Sequence, residues 1–88
     1  MGNDKQAADA INQINVQMDS LIGDTSVPKN VRSAVTEAKV KLNESGDVIV
    51  RVSSAIYSLD AVSNDINLPA QARTVVWNIL SMLKSIKQ

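Results

Sequence analysis

Two stretches of the chain place an acid, a proline and a base in the same order: "DTSVPKNVR" at 24–32 and "DINLPAQAR" at 65–73. Asp24 and Asp65 supply carboxylates and Arg32 and Arg73 supply guanidiniums. Two carboxylates brought together could imitate the paired acids that share general acid and base work. The rest of the composition argues against that chemistry. The chain has no histidine and no cysteine, which removes the usual general base near neutral pH, the thiol nucleophile and the two best soft metal ligands together. Gly2, Gly23 and Gly46 are isolated, so no glycine-rich loop can cradle a phosphate, and no zinc-protease, nucleophile-elbow or P-loop pattern is present. Asp following a helix end is common for turn reasons alone. Tyr57 with Ser53 and Ser54 reads as core edge and solvated hydroxyls. The sequence therefore predicts no catalytic residue, no cofactor and no metal ligand, and a protein that is not an enzyme.

A second set of residues could contact nucleic acid. Lys29, Arg32, Lys39 and Lys41 fall in one segment against the single acid Glu37, with Arg51 not far beyond. Phosphate binding draws on such clusters. Here the nine basic and nine acidic residues cancel, and no aromatics interleave the lysines. An ordinary solvated helix face is the favoured reading, with Glu37 and Lys41 forming a favourable pair one turn apart. A nucleic-acid contact through these four residues stands as the alternative.

The elements that must position these groups are helical. Ala7, Ile11, Ile14, Met18 and Leu21 recur at spacings of three and four, which puts them on one stripe. Val31, Val35, Ala38 and Leu42 make a second stripe, Val48, Val52, Ala55, Leu59 and Val62 a third, and Ala72, Val76, Ile79, Leu83 and Ile86 a fourth. The run "DVIVRV" at 47–52 has the β-branched content of a strand, but its helical spacing outweighs that. Gly23 and Asn64 are the residue types that best adopt the left-handed conformation closing a helix. Pro28 and Pro69 suit the first helical position, where a missing N–H costs nothing. Gly46 and Asp47 in "NESGD" supply a stop and the next cap. The prediction is an all-α fold with helices at about 4–22, 28–43, 48–63 and 69–86.

The two opening stretches belong to a longer correspondence. Shifted by 41 residues, Asp19 falls on Asp60, Asp24 on Asp65, Pro28 on Pro69, Arg32 on Arg73 and Val35 on Val76 without a gap. The 88 residues thus read as a single domain of two repeated helical hairpins, 7–46 and 48–88, closing into a four-helix bundle. The repeat length loosely resembles a pair of HEAT-like units, although stacked solenoids need three or more to share a core. Asp24, Pro28, Arg32, Asp65, Pro69 and Arg73 then read as structural turn residues. Each arginine sits at the border of its stripe, within reach of Asp24, Asp65 or the carbonyls ending the preceding helix, and Arg73 has Trp77 one turn on.

Several apolar residues fall off the stripes at 100° per residue. Val16, Val40, Val50 and Tyr57 point away from them, and Trp77 lies about 100° from Val76. A second buried face is the preferred explanation, so these five form the expected oligomer interface. The expected partners are a second copy of the chain or another protein. No run approaches the ~20 apolar residues of a membrane span. The start "MGNDKQAADA" has no apolar signal core, so a cytoplasmic protein without a membrane partner is expected.

"DTSVPKNVRSAVTEA" and "SLDAVSNDINLPAQARTVVWNILSML" together resemble a small archaeal family known only as an uncharacterised protein family, with members of about this length. The resemblance covers nearly the whole chain and is most specific at the Asp, Pro and Arg positions and in "ARTVVWNIL". It implies a small all-helical, self-associating protein of the archaeal cytoplasm. It transfers no functional residue, since no activity or site is assigned to that family. Within the chain, "NLPAQAR" lacks the basic residues of "SVPKNVR", which weakens any idea of two equal nucleic-acid sites.

Overall fold

The apolar stripes become the inner faces of four helices. The computed structural model describes the backbone of residues 2–87 and the side chains of residues 7–86, with α1 at Gly2–Ile22, α2 at Lys29–Leu42, α3 at Val48–Asp60 and α4 at Ala70–Lys87. Each helix packs on two others: α1 on α2, α2 on α3, α3 on α4 and α4 on α1. The helices therefore form a four-cornered ring, the arrangement that short antiparallel connections favour. It is a rod measuring 41 × 20 × 19 Å. The β-branched run at the start of α3 is helical, because Val48, Val52, Ala55 and Leu59 gain a shared core that an isolated strand would lack.

One apolar core runs along the rod. Ile14, Met18, Val31, Val35, Ala38, Leu42, Val52, Ala55, Leu59, Val76, Ile79 and Leu83 are fully enclosed. Ala7, Ile11, Val48, Val62 and Ile86, at the ends of the stripes, are only partly covered. Two buried apolar residues lie outside the helices. Val27 and Leu68, each just before a proline, plug the end of the core beneath the turns.

The helix ends differ from the sequence expectation at four places. Pro28 has ψ 147°, still extended, and its carbonyl accepts the first helical hydrogen bond from Arg32 N at 2.9 Å. It caps α2 rather than starting it. Pro69 does the same for α4, accepting from Arg73 N at 2.9 Å. Neither Gly23 nor Asn64 has a positive φ; among the described residues only Gly46 does, at 122°. The α1 end closes instead by tightening, with Gly23 N donating to Asp19 O and Asp24 N to Leu21 O. Finally, α3 stops at Asp60 rather than 63. There Val62 N turns to Leu59 O, three residues back, and the Ser63 hydroxyl donates to the Asp60 carbonyl at 3.2 Å, replacing the α-helical ladder.

Candidate functional site

The two connections at 23–28 and 61–69 occupy the same end of the rod, and a common set of hydrogen bonds builds both. Asp24 N donates to Leu21 O and Asp65 N to Val62 O; Val27 N donates to Asp24 O and Leu68 N to Asp65 O. Each aspartate also turns its side chain onto the loop that follows. Asp24 Oδ1 accepts from Ser26 N at 2.9 Å and from the Ser26 hydroxyl at 2.7 Å, and Asp65 Oδ1 accepts from Asn67 N at 2.8 Å. These are the Asx turns that explain an Asp after a helix end. The scheme is not fully symmetric. Asp65 Oδ2 also accepts from Asn30 Nδ2 at 2.9 Å, which ties the second turn to α2.

Electrostatically, both carboxyls are more acidic than usual. The Ser26 hydroxyl and then its amide hold Asp24 below the ordinary carboxylate range, with Arg32 adding a smaller pull. Asn30 and then the Asn67 amide do the same for Asp65, helped by Arg73. Hydrogen bonds to the ionised form are the cause in each case. Neither arginine meets a carboxylate directly. Arg32 Nε donates to the Val27 carbonyl at 3.1 Å and Arg73 Nη2 to the Asp65 carbonyl at 3.0 Å. The accepting carbonyls lie inside the turns, past the preceding helix, because the proline-led loops leave those oxygens without a helical donor.

The basic residues of α2 do not gather on one face. Lys39 pairs with Asp19 of α1, the one ion pair among the described residues. Lys41 lies on the opposite flank, beside Ser53, Ser54 and Tyr57 of α3, Arg32 is drawn into the turn, and Lys29 is exposed. Lys41 and Glu37 make no ion pair, in contrast to the expected pair one turn apart. Arg51 donates Nη1 to the Glu44 carbonyl at 2.8 Å. Further ties between side chains run to α1: Asn15 and Asn43 exchange amide hydrogen bonds at 3.0 and 2.8 Å, and Asn78 Nδ2 donates to Gln17 Oε1 at 2.8 Å.

The five apolar residues that fell off the stripes are all at the surface, with Tyr57 82%, Val16 69%, Val50 63%, Val40 59% and Trp77 56% exposed. They are spread over all four helices: Val16 on α1, Val40 on α2, Val50 and Tyr57 on α3, and Trp77 on α4. At 100° per residue, Val16 and Val40 point outward from α1 and α2, whereas Val50 and Tyr57 lie two turns apart on the outer face of α3. Ile49 of α3 and Ile66 in the second turn are also exposed and lay outside the sequence expectation. Two open grooves flank α3. One, toward α2, is lined by Ala34, Ser53, Ser54, Ser58 and Ala61 together with Tyr57, Glu37 and Lys41. The other is lined by Asp60, Ser63, Trp77, Leu80, Ser81 and Lys84.

Among the described residues no cluster of three or more Asp or Glu is gathered that could hold a metal ion, and no helix is long and apolar enough to cross a membrane. A ring of four helices with hydrogen-bonded aspartate turns at one end and surface-exposed apolar residues around α3 defines a small all-α bundle protein. Residues 1–86 match the model of UPF0147, an uncharacterised protein family, and the chain belongs to it. A UPF0147 protein of Methanocaldococcus jannaschii, MJ1419, is 39% identical over 85 residues, covering 96% of this chain and 91% of the relative. The crystal structure of the unknown-function protein MMP1188 superposes with a TM-score of 0.85 at 41% identity, over 92% of this chain and 93% of that one. A UPF0147 protein from Thermoplasma acidophilum superposes with a TM-score of 0.84 at 31% identity, over 98% and 99% of the two chains.

Proposed function

We propose that the protein is a non-enzymatic helical interaction module that associates with itself or with a protein partner through apolar side chains left outside the bundle. The observation that carries this reading is Tyr57, 82% exposed on α3 with Val50 and Ile49 on the same helix. Large apolar side chains grouped on one helix of a small domain mark contact surfaces more often than single scattered ones do. In this reading the duplicated Asp, Pro and Arg positions shape turns, since their polar atoms are engaged with loop amides and carbonyls. A nucleic-acid role on α2 has less support, because Lys39 is held by Asp19 and Lys41 lies across the helix from it. Light scattering after size exclusion tests the proposal. A mass that rises above the 9.5 kDa monomer with concentration is expected, and a mass that stays monomeric to millimolar concentration removes the self-association part of it. Salt-dependent RNA binding at low ionic strength would restore the alternative.

A further inference from the structure

The surface formed by α2 and α3 carries complementary features side by side. Tyr57 projects from it at 82% exposure and Val50 at 63%. Beside them runs an open groove of about 460 Å³ lined by the small residues Ala34, Ser53, Ser54, Ser58 and Ala61. On its α2 edge stand one acid and one base, Glu37 and Lys41, and neither has an ion-pair partner among the described residues. A projection, a depression and both signs of charge on one face are what a surface needs to fit a copy of itself. An isologous contact places each patch against the same patch, so complementarity must be internal to it. A partner of different sequence would require none of these features to occur together.

We propose that this face binds the same face of a second copy of the chain about a two-fold axis lying in the interface. The proposal rests on the self-association reading above and assigns its surface. With α2 of the two chains antiparallel, Glu37 of each faces Lys41 of the other, and each Tyr57 enters the partner's groove. The α2 and α3 helices, of 14 and 13 residues, are each about 20 Å long, so this face lies at the small end of interface sizes, below the about 800 Å² that a standard interface takes from each partner, as suits a dimer that forms and parts with concentration. The unpaired state of Glu37 and Lys41 in the single chain, where an i, i+4 pair is the ordinary outcome, fits charges that meet across the axis.

Sedimentation equilibrium on the full chain and four variants tests this, with circular dichroism melts confirming that each is folded. The chain is expected to dimerise. Glu37→Lys sets like charges against each other twice per dimer and is expected to weaken dimerisation about tenfold or more. The double variant Glu37→Lys/Lys41→Glu restores the exchange and is expected to recover most of that loss. Tyr57→Ser is expected to weaken the dimer at least about tenfold, and Val16→Ser, on α1, to leave it unchanged. A chain that is monomeric at millimolar concentration overturns both this proposal and the self-association reading. A dimer indifferent to Glu37→Lys and Tyr57→Ser, or one that the charge-swapped double variant does not recover, overturns this face and leaves self-association standing.

Discussion

Asp24 and Asp65 show how far residue type alone can mislead. On paper they are two acids beside two bases; in the fold each carboxylate is satisfied by the amide two residues ahead and by one further side chain. The consequence for pH follows from the direction of the shifts. Each carboxyl is more acidic folded than unfolded, so its stabilisation is complete above the unfolded value and is lost as pH falls through the folded one. The two sites can be separated by carboxyl titration in NMR. Ser26→Ala should raise the Asp24 value and leave Asp65 where it was, and Asn30→Ala should raise Asp65 alone. A turn role for these positions could be proposed because the same types recur 41 residues apart. Their partners were not. Nothing in the spacing of Asn30 and Asp65 points to a bond between hairpins, and the arginines chose carbonyls over carboxylates because the loops expose those oxygens.

For the helices, apolar spacing was a reliable guide and punctuation a weaker one. All four stripes are inner faces, because burial rewards periodicity over whole turns. The ends depend on single dihedral angles, and there composition was ambiguous. Gly23 and Gly46 look alike in sequence, yet only Gly46 needs a glycine, with φ at 122° and nothing near enough to obstruct a side chain. Substitution by alanine should separate them. Gly46→Ala is expected to cost about 1 kcal/mol through backbone strain alone. Gly23→Ala, whose added carbon would sit in ordinary contact 3.4 Å from Asp19 O, is expected to be neutral or slightly stabilising. Asp47, whose carboxylate accepts from Ile49 N at 2.8 Å, is expected to lose about 1 kcal/mol as alanine. Thermal melts resolve these, since ~1 kcal/mol moves the midpoint of a domain this size by about 4–8 °C. The early end of α3 had no sequence signal, because Ser63 and Asn64 are equally at home in a last helical turn.

At the scale of the whole molecule, one core serves all four helices. Ile79 is fully enclosed on α4, and Ile79→Ala is expected to cost about 2–5 kcal/mol, a large share of the ~5–15 kcal/mol that holds a small domain together. Denaturant titration should show a lowered midpoint, while Val16→Ala, at the surface, stays within about 0.5 kcal/mol of the parent. The four apolar stripes made a closed bundle legible, since helices this short cannot cover their apolar faces except against one another. Which outward residues belong together was not legible, because that depends on how the helices are turned about the rod.

The ring also has no privileged starting point. The contact of α4 with α1 closes it as the contact of α2 with α3 does, and the antiparallel order brings the start of α1 and the end of α4 to the end of the rod that holds the 43–47 loop. A linker joining those ends, with the chain opened at Gly46, would trace the same four corners in the order α3, α4, α1, α2. The architecture is thus indifferent to which hairpin is written first.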